Sequence, residues 1–389
     1  MNKLIKKILF SLGTILGVVV LVLGVYVGYV FGQYYRLDDN LVLEVNNSSR
    51  TTSKVELNKD YSISTYNIGF GAYNQDYTFF MDYGYMEDGT VVSGKEAKAF
   101  SKAHVLEAVN GAANAIKYFN PDFALFQEVD IEGHRSYNVN QYEILQNTLE
   151  NSSSVYAENF HTAFLCYPLN DPMGKVNAGI TTFSKYEIES SIRKSFTITD
   201  SAIGKLFDLD RCFSATYLPI ENSDKQFVLI NVHMSAYDEG GKIRAQQMIE
   251  LNNFLTSEAN KGNYVIAGGD FNHDLLTYNP EFSYNQNNKP FSHTFTQLTP
   301  DWLSFFFTEE KESPLDNSFR VVASDNSPTC RDADITWQPG INYVSTIDGF
   351  IVSSNVEVVS HKNLQTSTDK LAGFAYSDHE PATMVFKLK

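Results

Sequence analysis

Hydrophobic and polar positions divide the chain into three stretches. Residues Ile8 to Phe31 form an uncharged, largely apolar run with no polar face. Residues 32 to 59 are polar, contain Asn46-Asn47-Ser48-Ser49 and show no clear period, which predicts a linker. From residue 60 onward, strand-like and helix-like patterns take turns. Tyr61–Ile68 alternates as a strand, and Phe123–Phe126 is a short apolar run of the buried-strand kind. Ala178–Phe183, Cys212–Ile220, Phe227–Val232, Tyr264–Ala267, Val344–Val352 and Ala382–Leu388 predict further strands. Lys95–Phe119 carries Val105, Ala108, Val109, Ala112 and Ile116 at helical spacing, and Asn120-Pro121 ends it. Ile243–Leu255 repeats that spacing with Ile243, Met248, Leu251 and Leu255.

The apolar run is 24 residues long. As a helix it reaches roughly 36 Å, enough to cross a hydrocarbon core of about 30 Å with some tilt. Lys3, Lys6 and Lys7 precede it, and Arg36 with Asp38 and Asp39 follows. That asymmetry places the N-terminus in the cytoplasm and the remainder outside the cell membrane. Tyr26 and Tyr29 fall near its far end, where interfacial rings are favoured. No small-x-small cleavage site follows, so the run is read as an uncleaved signal anchor. The expected organisation is a basic cytoplasmic stub (1–7), a transmembrane signal anchor (8–31), a polar linker (32–59) and one globular domain (60–389).

Composition narrows the chemistry. The 389 residues are 43% hydrophobic and 20% charged, a globular balance. Three cysteines supply neither a disulfide framework nor a thiolate metal site. The net charge is −16, and −19 from residue 33 onward, which excludes a broad basic surface for nucleic acid. A local cationic or metal-bearing cleft remains open.

Polar residues cluster where apolar strands run out. They are Asn67, Glu128, Asn231 and His233, then Asp270 and Asn272, then Asp348, Asp378 and His379. Singly, each reads as a turn residue. Together they supply four carboxylates, two imidazoles and three carboxamides, an oxygen-rich donor set suited to Mg²⁺ or Mn²⁺.

In the order Tyr66-Asn67, Gln127-Glu128, Asn231-x-His233, Gly269-Asp270-Phe271-Asn272, Ile347-Asp348 and Ser377-Asp378-His379, the chain resembles the endonuclease/exonuclease/phosphatase superfamily, the DNase I, exonuclease III and bacterial sphingomyelinase group. The resemblance covers residues 61–388. It implies an α/β (α+β) fold, a four-layer α/β/β/α sandwich of two mixed sheets flanked by helices, here preceded by one transmembrane helix. It also implies a metal-dependent phosphoric ester hydrolase with Mg²⁺ or Mn²⁺ as cofactor. On that pattern Glu128 is the main metal ligand with Asn67 beside it, and Asp378 serves where a second metal is held. Asp270 orients or deprotonates water, Asn272 grips the phosphate, Asp348 orients His379, and His233 bonds a phosphate oxygen or assists the leaving group. Asn177, Arg211 and Asn231 fit substrate-binding positions. Gly349 departs from the pattern, where a larger residue is common, and predicts local flexibility. The substrate stays open between extracellular nucleic acid and a membrane lipid headgroup. The alternative is a surface binding module that keeps the fold without catalysis.

Overall fold

Both faces of a central strand must be covered for it to be apolar throughout, and the two parallel strand pairs of this chain meet that condition. In Phe123–Gly133, Phe123 and Leu125 point one way into a core shared by two sheets, while Ala124 and Phe126 point the other way under helices. Gln226–His233 behaves likewise, with Phe227 and Leu229 facing the shared core and Val228, Ile230 and Val232 facing a helix. The computed structural model describes residues 2–199, 201, 210–236, 241–282, 296–367 and 371–389.

Two seven-stranded sheets result. The first runs Leu41–Val42, Ser190–Ser195, Cys212–Pro219, Gln226–His233, Tyr264–Asp270, Asp348–Ser353 and Phe319–Val322. The second runs Val356–Asn363, Ala382–Leu388, Tyr61–Asn67, Phe123–Gly133, Gly174–Ser184, Ser153–Leu165 and Val45–Asn46. Each holds one parallel pair among antiparallel ones, so both are mixed. Helices Lys102–Phe119 and Gln141–Thr148 cover the outer face of the second sheet through Ala112, Ala113, Ile116 and Leu145. Helix Lys242–Asn260 covers the outer face of the first through Met248, Leu251 and Leu255. The layers are helix, sheet, sheet, helix, as expected.

Parallel pairing fixes where the chemistry falls. Asn67 pairs with Gln127 at one end of the second sheet, and His233 pairs with Asp270 at one end of the first. Asp348 opens an antiparallel strand opposite Asp270, and Ala382, just after His379, pairs with Thr65. These strand ends therefore meet at one end of the sandwich. Buried amides tie the sheets together there. Gln127 Nε2 donates to Asn231 Oδ1 at 2.7 Å, and Asn231 Nδ2 donates to the carbonyls of Phe126 (3.1 Å) and Thr181 (2.9 Å).

Some expectations change. The 32–59 segment, read as a linker, adds an edge strand to each sheet, because Leu43 and Val55 have cores to enter. The helix predicted from Lys95 starts at Lys102, where Ser101 caps it by accepting from the His104 amide, while Glu96 bridges to Phe79. Val344–Val352 is two strands in different sheets. Strands Ser153–Leu165, Ser190–Ser195, Phe319–Val322 and Val356–Asn363 gave no clear sequence signal, being polar or near sheet edges. Gly349 is not a flexible point. It pairs with Gly269 within the sheet, and a Cβ there would lie 2.8 Å from Leu275 and 2.9 Å from the Val322 carbonyl.

Helix Lys3–Gln33 is long and apolar enough to cross a membrane, and the apolar residues of its most hydrophobic stretch are uncovered by the rest of the chain. It meets the sandwich near its C-terminal end, where Val30 is buried.

Replacing Asn231 by alanine leaves two buried carbonyls and the Gln127 amide without their partner. Unpaired buried groups cost about 1–3 kcal/mol each. The expected outcome is a lower urea midpoint with an unchanged slope, measured by tyrosine and tryptophan fluorescence.

Candidate active site

The residues at the strand ends form one hydrogen-bonded group, because each strand delivers its last polar side chain to the same place. Asn67 Nδ2 donates to Asp270 Oδ2 at 3.0 Å and lies 3.4 Å from His379 Nε2. Asn67 Oδ1 accepts from the Gly69 amide at 3.0 Å, so the carboxamide is held at both ends. Asp270 Oδ1 accepts from the Asn272 amide at 2.9 Å. His379 Nδ1 is 2.8 Å from Asp348 Oδ2, and its Nε2 is 3.7 Å from Asp270 Oδ2. His233 Nε2 lies 3.7 Å from both Asp270 Oδ2 and Glu128 Oε1.

Two side chains owe their direction to left-handed backbone. Glu128 has φ 57°, within a bulge where two residues of its strand face one of the neighbour. The bulge breaks alternation, so Gln127 reaches the inter-sheet bonds while Glu128 turns to the cleft. Asn272 has φ 50°, and its Nδ2 donates to the Met234 carbonyl at 2.9 Å. A non-glycine residue in that region costs about 1–3 kcal/mol and persists only where its surroundings hold it. Gly269 is needed for close approach, since a Cβ there would overlap the Val232 carbonyl.

Above this group lies a cleft of about 970 Å³, counted to its open mouth. Glu128, Arg211, His233, Asp270, Asn272, Asp378 and His379 line it. Asn67 and Asp348 lie beneath, against Asp270 and His379. Two expected substrate-binding residues are elsewhere. Asn231 is wholly buried and spent on inter-sheet bonds, and Asn177 faces Tyr156 on the neighbouring strand. Asn231 shares the inward face of its strand with His233, two residues on, but meets Gln127 and the carbonyls of the second sheet before the cleft begins. Arg331, Asp82 and Asp332 line the cleft but were not anticipated, since they sit on segments with no long apolar strand before them. Among the aromatic residues, Phe79 and Trp302 reach the cleft, while Tyr77, Phe306 and Phe307 are core.

Burial sets the protonation states. Burial, and then the neighbouring Asp378 carboxylate, push the Glu128 carboxyl up to about 8. Burial also raises Asp378. Two adjacent acids with raised affinity for protons form a site that a divalent cation would satisfy, and their oxygens suit Mg²⁺ or Mn²⁺. Asp270, Asp348 and His379 also bring ligand atoms within 4.8 Å of one another. The hydrogen bond between Asp348 and His379 already joins two of these three. Burial pushes Asp348 up to about 6. Burial alone would lower His379, but Asp348 outweighs it and holds the imidazolium well above its ordinary range. Burial, then the Arg211 charge, hold His233 well below it. At neutral pH the metal-free site thus pairs a charged His379 with an ionised Asp348, beside a neutral His233.

Imidazole NMR of the metal-free protein tests this. His233 should stay neutral from pH 5 to 8 while His379 stays protonated. Asp348→Asn should lower the His379 pKa, because it removes the counter-charge. Arg211→Gln should raise that of His233.

The chain has the fold of several solved phosphoesterases. It is similar to ANGEL2, a 2′,3′-cyclic phosphatase solved with adenosine-2′,3′-vanadate, at 15% identity and TM-score 0.52, over 89% of this chain and 98% of that one. It is similar to the human Nocturnin catalytic domain with bound sulfate, at 14% identity and TM-score 0.50, over 89% and 97%. An endonuclease/exonuclease/phosphatase from Beutenbergia cavernae gives 13% identity and TM-score 0.51, over 85% and 72%. No curated protein sequence matches. The family model of the Endonuclease/Exonuclease/phosphatase family matches residues 64–379, most of the chain and every strand-end residue of the cleft. The chain therefore belongs to the Endonuclease/Exonuclease/phosphatase family and is, with it, a metal-dependent phosphoric ester hydrolase.

Proposed function

We propose that the chain is a membrane-anchored, extracytoplasmic phosphodiesterase-type hydrolase that uses Mg²⁺ or Mn²⁺. One observation carries the catalytic reading: Asp270 stands between Asn67, His233 and His379 at the floor of an open cleft. Glu128 and Asp378 would hold the cation, with Asn67 alongside through the remaining lone pair of its carboxamide oxygen. The bound cation supplies Lewis-acid polarisation of the phosphoryl group and neutralises charge developing on it.

The chain's own residues supply the rest. Asn67 and the Asn272 amide fix both oxygens of Asp270, which then orients a water molecule for attack. Water oxygen bonds to phosphorus, one P–O ester bond breaks, and the alcohol leaves with a proton. Asp270 lies close enough to take the water's proton, which passes on to the leaving alcohol, while the charged His379 beside it at 3.7 Å stabilises the negative charge of the site instead of acting as a base. Asp348 holds His379 in one orientation through Nδ1. His233 and Arg211 face the phosphate from the other wall, and Asn272 grips it through the amide N–H not used on Met234. Residues 8–31 span the membrane, with Lys3, Lys6 and Lys7 on the cytoplasmic side.

Hydrolysis of a chromogenic phosphodiester should require Mg²⁺ or Mn²⁺ and stop with EDTA. His233→Ala and Asp270→Asn should each lower kcat by roughly 10²–10⁴-fold. Glu128→Gln should raise the Mg²⁺ concentration needed for half-maximal rate. Metal binding without hydrolysis of any phosphoester would favour the binding-module alternative. Protease added to intact cells should degrade residues 33–389. Their protection would place the domain in the cytoplasm.

A further inference from the structure

The end of the membrane helix and the mouth of the cleft are joined by one short loop. Strand Ser153–Leu165 runs in the same direction as Phe123–Gly133, since each pairs antiparallel with Gly174–Ser184. Its end therefore lies at the end of the sandwich that carries Glu128, and the return to Gly174 passes the cleft. The helix holds that strand end directly. Tyr26 Oη donates to the Phe164 carbonyl at 3.2 Å and accepts from the Cys166 amide at 2.9 Å, and Tyr29 Oη accepts from the Phe164 amide at 3.2 Å. On the other side, the Met173 amide donates to the Tyr167 carbonyl, and Met173 lines the cleft. Lys98 pairs with Asp171 at 2.6 Å, and the Tyr167 ring lies 5.7 Å from Phe80, itself against the cleft-lining Phe79.

Depth follows from the helix. Tyr26 lies inside the 8–31 apolar run, five residues or roughly 8 Å from its end. A run of roughly 36 Å exceeds the hydrocarbon core by only about 6 Å, so Tyr26 sits at the level of the headgroups or just below. Backbone bonded to Tyr26 shares that level. The loop there presents Leu169 at 85% exposure and Tyr167 at 66%, beside Phe164 at 37%. Side chains of this kind are favoured in the interfacial zone, where their apolar surface leaves water.

We infer that the mouth of the cleft is seated on the bilayer that holds the helix, and that its substrate is a phosphoester in a lipid headgroup of that bilayer. This rests on the phosphoesterase reading above. The headgroup enters past Tyr167 and Met173 while its acyl chains stay in the membrane. The −19 charge beyond residue 32 points the same way, because it opposes long-range capture of a soluble polyanion.

The test uses the full chain in vesicles of phosphatidylcholine, phosphatidylethanolamine and phosphatidylglycerol with Mg²⁺. A fluorophore on Leu169→Cys in a Cys166→Ser background should be quenched by nitroxide-labelled lipid. The same label on Tyr118→Cys, an exposed position at the opposite end of the sandwich, should not be. Phosphorus NMR should show lipid phosphodiester cleaved at least ten-fold faster than soluble glycerophosphocholine or a DNA oligonucleotide. Leu169→Asp should lower the lipid rate at least ten-fold relative to the soluble diester. Equal quenching at both positions overturns the seating. Cleavage of DNA or soluble diester with lipid left intact overturns the lipid substrate and leaves the phosphoesterase reading standing. A quenched loop with no phosphoester cleaved sinks that reading, and the lipid inference with it.

Discussion

The buried contact between Asn67 of one sheet and Asp270 of the other is the constraint on which the rest of the site depends. Asp270 is almost completely buried, and a carboxylate in such a place is costly unless donors surround it. Asn67 reaches it only because the two sheets are packed face to face with their parallel pairs ending together. Gln127, level with Asn67, and Asn231, two residues before His233, tie the sheets beside it. A slip of either sheet along its strands would break both contacts and leave charged groups unpaired in the interior. The same packing brings Asp348, at the start of a strand of the first sheet, into hydrogen-bond contact with His379, in the loop just before a strand of the second.

Left-handed backbone aims two of the side chains that face the cleft. Glu128 and Asn272 both have left-handed backbone, and each is fixed by structure behind it: a bulge for one, bonds to Asp270 and Met234 for the other. Regular alternation would point Glu128 away from the cleft. The bulge places a carboxylate at its wall without disturbing the apolar face of the strand before it. The outcome is a cleft lined by the acids Glu128 and Asp378 together with Arg211 and His233, with His233 3.7 Å from Glu128. Acidic and basic donors side by side suit a site which holds a cation and a phosphate together.

The apolar N-terminal helix, long enough to cross a membrane, is integrated with this arrangement instead of hanging from a free tether. Its tyrosines bond the end of a sheet strand, and the 32–59 segment contributes an edge strand to each sheet. Orientation of the sandwich relative to the helix is thereby restricted. The cleft is on the side of the loop that the helix holds.

The helix of 8–31, the strands with both faces apolar and the polar residues that end them were legible in the sequence, because each is a local pattern. A run long enough to span a bilayer, a period of two or of 3.6, and a polar residue after an apolar run need no knowledge of distant segments. The edge strand Leu41–Val42 and its neighbour Ser190–Ser195 were not legible, since partners and not periodicity make them strands. Nor did sequence separate Asn231, which ties the sheets, from His233 two residues on, which lines the cleft. Both follow the same apolar run, and their roles diverge only through what the second sheet places against them. The residues available for the chemistry are thus set by the local pattern. Which of them meet and how burial shifts their charges are decided by the packing of two sheets whose strands lie far apart in the chain.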